Sequence, residues 1–249
     1  MFRPGGPTLR ELAVQALSSV EHGYDLLAPK FDHTPFRTPD ALLQSVAGTL
    51  APLGPFEDGL DLCCGTGAGT GLLTGLCRRS VTGVDFSAGM LDVARRRVTS
   101  DGPDLSWVRA DVRALPFTAA FDLVVSFGAF GHFLPRELPG LFSRVHTVLR
   151  PGGRFAFPVT APPWPADPAF WTLLGFDAVM RIRNAVWRPP FVMYYRAFRL
   201  GGVLAELTRR GFAVELHALP GFGRRGDGSP RARLVVARRT ADTTPPRRA

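Results

Sequence analysis

Between residues 59 and 159, short apolar runs alternate with amphipathic stretches, and that alternation constrains the fold more than any other feature of the chain. Runs near 59–64, 81–85, 105–109, 121–127 and 153–159 read as strands, while stretches near 68–78, 88–99 and 136–149 carry helical spacing. Strands separated by helices run parallel and are joined by right-handed crossovers. The expected class is α/β, with a doubly wound sheet that takes its ligands outside the carboxyl ends of the strands.

The first strand-to-helix connection, "DLCCGTGAGTG" at residues 61–71, has glycine at 65, 67, 69 and 71. Glycines there permit positive φ and close backbone approach, and the helix that follows offers free amides to an anionic group. The dinucleotide fingerprint needs glycines at i, i+2 and i+5, but that last position is Thr70 counted from Gly65 and Leu72 counted from Gly67. A nucleotide-triphosphate loop needs Gly-Lys-Ser/Thr, and the segment has no lysine.

As a whole, the segment resembles the first motif of class I S-adenosylmethionine-dependent methyltransferases: an acidic residue at Asp61, then Gly65, Thr66 and Gly67. Cys63 stands where that family usually has glycine, and the Cys-Cys form is similar to a variant in menaquinone-type members. The resemblance continues in order along residues 55–160 through "VTGVDFSAGMLDVARRR", "VRADVRALPF", "FDLVVSFGAFGHF" and "VLRPGGRFAF". It implies that Asp85 receives the ribose hydroxyls of S-adenosyl-L-methionine, that Phe86 and Met90 flank the adenine, and that Asp111 and the Val112 amide meet its edge. Asp61, Cys63, Gly65, Thr66, Gly67 and Ser126 complete the implied cofactor site. The glycines are expected to make room for the methionine half, so that valine at Gly67 should block binding and leave the fold intact. The segment "YDLLAPKFD" is similar to the family's lid, with Tyr24 covering the cofactor and Arg37 reaching its carboxylate. His132 is the candidate general base. An aspartate at a strand end also serves as a helix cap, Tyr24 also suits packing of the first helix, and His132 also suits local packing.

The implied activity is methyl transfer to an oxygen, nitrogen or carbon of a small molecule by in-line displacement, in a seven-stranded, mostly parallel sheet. One domain over residues 1–239 is expected: an N-terminal helical lid (1–54), the cofactor-binding core (55–160), an insertion or acceptor lid (161–198), and a closing helix and strand pair (199–239). Thr8 and Glu11 form a capping box for the first helix, and 40–50 reads as a second. In the insertion, Pro162, Pro163, Pro165 and Pro168 precede an aromatic stretch whose Trp164, Phe170, Trp171, Phe176, Trp187, Phe191, Tyr194 and Tyr195 are expected to line an apolar acceptor pocket. Residues 240–249 have no apolar pattern and are expected as a disordered tail.

The chain of 249 residues, 45% hydrophobic, is long enough for one sizeable core. No run approaches the roughly 18–20 apolar residues of a membrane span, and Glu11 and Gln15 interrupt any secretion signal, so a cytoplasmic protein without a membrane partner is expected. Cys63, Cys64 and Cys77 lack disulfide or zinc spacing and read as structural thiols, with no metal site. The net charge of +9 is carried by residues 181–249, which hold fifteen arginines against four acidic residues. A solvated basic surface is the first reading of that region, and an acidic acceptor the second. The "SFGAF" after the fourth strand lacks the Asn/Asp-Pro-Pro-aromatic motif of DNA base methylation. RNA or tRNA methylation and a non-catalytic cofactor-binding partner subunit stay as alternatives, and a nicotinamide oxidoreductase is disfavoured by the glycine register.

Overall fold

A computed structural model of the chain describes residues 5–34, 36–188, 191–193 and 199–240. Seven strands form one sheet: β1 (Phe56–Leu62), β2 (Cys77–Asp85), β3 (Asp104–Arg109), β4 (Phe121–Ser126), β5 (Leu149–Thr160), β6 (Phe212–Ala218) and β7 (Ala232–Arg239). Their order is β3-β2-β1-β4-β5-β7-β6, parallel from β3 to β5, with β7 antiparallel to both neighbours. The expected doubly wound sheet and its closing antiparallel pair are present. The order reverses between β1 and β4, which places the crevice at their carboxyl ends.

Helices α1 (Leu9–Leu17), α2 (Val20–Leu27) and α3 (Asp40–Leu50) precede the sheet. Helices α4 (Ala68–Thr74), α5 (Ala88–Arg97) and α6 (Leu138–Val148) make the crossovers, α7 (Pro168–Val186) follows β5, and α8 (Leu200–Arg209) leads into β6. Of the caps, the Thr8–Glu11 box was legible in the sequence. Thr8 and Glu11 close a capping box on α1, Ser19 caps α2, Ser87 caps α5, and Gly211, at φ 82°, follows the end of α8. Side-chain alternation along the strands sorts the core into two layers. Val124 and Phe155 face α6 and α8 with Phe142, Val145 and Leu207, whereas Leu123, Val125 and Ala156 face the opposite side with Val46, Leu50 and Leu73.

The boundary between α4 and β2 differs from the sequence reading, as does the start of β5, at Leu149 instead of near 153. Helix α4 stops at Thr74, capped by Gly75, and β2 starts at Cys77 opposite Phe56 instead of helix continuing to 78. The polar stretch "RRS" is drawn into the sheet by Asp58 of β1, whose carboxylate receives Arg79 Nε at 2.9 Å, Ser80 Oγ at 2.6 Å and Arg150 at 2.8 Å. Arg150 also pairs with Asp122 at 3.0 Å, and Asp122 receives the amides of Glu57 and Asp58. Periodicity carries no sign of this cluster, which forms only when residues near the amino ends of four strands, β1, β2, β4 and β5, meet.

Arg79 beside Asp58 holds its carboxyl well below the usual carboxylate range. The folded value is depressed, so its stabilising contribution is complete above the unfolded value of about 4 and is lost as pH falls through the folded one. Asp58→Asn is expected to lower unfolding free energy by about 1–3 kcal/mol at pH 7 in urea titrations, with a smaller deficit at acid pH.

Candidate cofactor site

The chain leaves β1 through an unusual backbone. Cys63, Gly65 and Gly67 have φ of 54°, 53° and 88°, and for a side chain with a Cβ that left-handed region costs on the order of 1 kcal/mol or more. This explains why glycine suits position 63 and why cysteine there is a departure. The four glycines of the loop serve different ends. Nothing stands within 4 Å of a Cβ built on Gly65 or Gly71, whereas one on Gly67 would lie 2.6 Å from Val98 Cγ2, and one on Gly69 2.7 Å from the Asp61 carboxylate. Gly67 therefore lets the loop press against the end of α5. The expectation that its missing side chain makes room for a ligand is corrected, and Gly65 is the position with open space.

Two carboxylates sit beneath this loop. Asp61, at 1% exposure, accepts from Thr70 Oγ1 at 2.9 Å. Asp85, at the end of β2, accepts from the amides of Gly65 and Ser87, each at 2.9 Å. Burial pushes the Asp61 carboxyl up to about 7 and raises that of Asp85. Among the described residues no cation pairs with either. Above the loop lies a cavity of about 390 Å³, lined by Arg37, Asp61, Cys63, Gly65, Thr66 and Phe127, among others. A second, apolar cavity of about 210 Å³ lies on the other side of Cys63, against Val112, Ser126, Phe130 and Phe133.

The N-terminal segment is tied to this region at three points. Asp25 accepts from Ser87 Oγ at 2.6 Å and the Gly89 amide at 2.9 Å, at the start of α5. Asp32 receives Thr66 Oγ1 at 2.8 Å and pairs with Arg97. Tyr24 stacks on Phe191, and its hydroxyl lies 2.7 Å from His132 Nε2. His132 Nδ1 is 2.7 Å from the Val192 carbonyl, which can only accept, so Nδ1 carries the proton and Nε2 receives that of Tyr24. Burial lowers the His132 pKa and keeps the ring neutral.

Of the residues picked from the sequence, Arg37, Asp61, Cys63, Gly65 and Thr66 line the larger cavity, and Cys63, Val112 and Ser126 the smaller. Arg37 is anchored on Asp40 at 2.6 Å, and Ser126 Oγ donates to the Leu62 carbonyl at 3.0 Å. Phe86 gives its carbonyl to Arg109, Met90 is fully buried on the inner side of α5, and Asp111 caps the turn after β3 while pairing with Arg113 at 3.0 Å. Trp164, Trp171 and Trp187 point to the surface instead of lining a pocket, Phe176 and Phe191 pack beside Tyr24, and Tyr194 and Tyr195 lie outside the described residues, as does the expected tail from 241 onward. Phe31, Phe36 and Phe127 of the cavity wall and the tethers Asp25 and Asp32 were missed. Phe127 could have been found, because it directly follows Ser126 at a strand end where ligands settle. Among the described residues no group of three or more His, Cys, Asp or Glu is placed to hold a metal, and no helix is long and apolar enough to cross a membrane.

Residues 60–153 match a methyltransferase domain family. Over 172 residues the chain is 33% identical to a 2-phytyl-1,4-naphtoquinone methyltransferase of Nostoc punctiforme, covering 64% of this chain and 73% of that protein. It is 40% identical over 125 residues to the demethylmenaquinone methyltransferase of Clavibacter sepedonicus, covering 49% of this chain and 47% of the relative. The chain likewise spans a little under half the length of several other quinone methyltransferases that it matches. In fold it is similar to the magnesium protoporphyrin IX methyltransferase of Synechocystis, crystallised with bound SAH, at a TM-score of 0.56 and 18% identity over 80% of this chain and 81% of that one.

Two substitutions separate packing from charge. Gly67→Val is expected to lower the melting temperature or prevent folding, through the clash with Val98, while Gly65→Ala still folds; circular dichroism melts distinguish them. Asp61 has a raised folded pKa, so the stability its protonated form contributes is complete below an unfolded value of about 4 and is lost as pH rises through about 7. Asp61→Asn, without bound ligand, is accordingly expected to melt higher than the parent at pH 8 and to lack this loss of stability between about pH 4 and 7.

Proposed function

Because the chain belongs to the class I S-adenosylmethionine-dependent methyltransferases, we propose that it moves a methyl group from S-adenosylmethionine to a small apolar acceptor of the quinol type. The observation that carries this reading is the pair of buried carboxylates, Asp61 and Asp85, without a cation among the described residues, beside a cavity whose wall also holds Arg37. Such a site suits a molecule that is cationic at one group and anionic at another. The sulfonium supplies an activated methyl group, so the chain's own work is to bind and orient.

Asp85 accepts from the amides of Gly65 and Ser87 and keeps further acceptor capacity for the ribose hydroxyls. Asp61 offsets the ammonium from below the loop, Arg37 and the Thr66 amide serve the carboxylate, and the open space at Gly65 admits the backbone contact. Val112, Ser126 and Cys63 take the adenine side, with Phe86, Met90 and Asp111 in the roles that the resemblance implies. The N-terminal segment 1–54 acts as lid over the core 55–160, and 161–198 as acceptor lid. His132 Nε2 is held by Tyr24, so a proton reaches His132 by way of that hydroxyl. The acceptor class rests on the similarity to quinone methyltransferases.

Titration calorimetry with S-adenosylmethionine tests the cofactor. Asp85→Ala is expected to weaken binding by about 1.5–3 kcal/mol, or roughly 10- to 150-fold, and unchanged affinity would remove Asp85 from the site. Transfer of labelled methyl to a reduced, demethylated naphthoquinone tests the acceptor class. Labelling of RNA in place of the quinol, or binding without turnover on any acceptor, would favour the RNA-modifying or the non-catalytic alternative.

A further inference from the structure

Helix α7 is apolar on two opposite faces. Phe176 and Met180 pack inward with Phe191, Met193 and Tyr24. On the outer face Trp171, Leu174, Gly175, Ala178, Val179, Ile182, Ala185 and Val186 are all exposed, with Ile182 at 65% and Val186 at 78%. At 100° per residue these positions form one unbroken arc, bordered on one flank by the exposed Arg181 and Arg188 and on the other by Thr172. The acid of this helix, Asp177, is buried on the inner side, so the arc carries no carboxylate. Helix α1 extends the patch. Trp187 Nε1 donates to the Leu17 carbonyl at 2.9 Å, Arg183 reaches the Ser18 carbonyl at 3.0 Å, and Arg10, Val14 and Leu17 share one exposed face of α1. The indole N–H of Trp171 is likewise satisfied, by Pro165. Both tryptophans thus present ring surface with their polar atoms already bonded.

With its inner face packed, the outer apolar face of α7 is left for a second covering surface. We propose that the outer face of α7, with Val14 and Leu17 of α1, docks on an anionic lipid surface. The chemistry is that of an interfacial helix: an apolar face rimmed by arginine and tryptophan, in a chain whose basic residues concentrate in its C-terminal third. A second copy of the chain is the poorer occupant, because a contact of this face with itself would bring no carboxylate to the exposed Arg10 and Arg188 beside it. An acidic protein is poorer as well, because the face presents far more hydrocarbon than charge. Docking in the membrane plane differs from crossing it, and α7 is not apolar enough to span. The proposal goes beyond the methyltransferase reading and stands without it.

Flotation of the full chain with phosphatidylcholine vesicles containing about one third phosphatidylglycerol tests the proposal. Binding is expected, with a blue shift of tryptophan emission, and with partitioning about tenfold weaker on pure phosphatidylcholine or at high salt. Ile182→Asp is expected to keep the parent's melting temperature and to lose about tenfold or more in partitioning, whereas Ile182→Leu keeps it. No vesicle binding, equal binding by Ile182→Asp, or a concentration-dependent dimer in sedimentation velocity that Ile182→Asp abolishes would each overturn the proposal. Affinity for S-adenosylmethionine is read separately by calorimetry, so a protein that floats without binding it would count against the proposed activity alone.

Discussion

The carboxylate of Asp85 joins the two connections on which the crevice depends. By accepting from the Gly65 and Ser87 amides, it fixes the loop after β1 to the start of α5. Asp25 reinforces the same helix start from the N-terminal segment. Two amide bonds to a carboxylate in a dry site are strong because little water competes for them. They hold the left-handed backbone at Cys63, Gly65 and Gly67 in place, and with it both cavities. Burial of so many polar groups in one turn is tolerable only because nearly every one has a partner.

The two ends of the sheet handle charge in opposite ways. At the amino end, Asp58 and Asp122 are surrounded by Arg79, Arg150, Ser80 and backbone amides, and the network closes on itself. At the carboxyl end, Asp61, three residues further along the same strand, has only the Thr70 side chain and backbone to answer it. The first arrangement stabilises the fold. The second leaves an electrostatic demand inside the protein that a cationic group can meet, at a place where sheet order has already opened a crevice.

Much of this was legible in the chain. The strand and helix alternation, the capping residues and the glycine loop are local signals, written in periodicity and in residues with special dihedral preferences, and they gave the sheet and the neighbourhood of the site. What escaped depends on contacts between distant segments. Gly67 read as ligand space because nothing near it in sequence announces Val98. The end of α4 was placed too late because the pull of Asp58 on Arg79 comes from another strand. The tryptophans around α7 read as pocket lining because aromatic composition is the same whether a ring faces inward or outward. Phe31, Phe36 and Asp32 lie in a turn-rich stretch with no period to read, and Asp25, on α2, has partners at Ser87 and Gly89 far along the chain.

Cys63 lines both cavities and occupies a backbone conformation better suited to glycine. A thiolate is a good nucleophile and a thiol a poor one. Burial, together with the carboxylates of Asp85, Asp61 and Asp111, raises the Cys63 pKa well above its ordinary value. The desolvation that leaves Asp61 without an answering charge thus also keeps this sulfur in its protonated, poorly nucleophilic form between the two cavities.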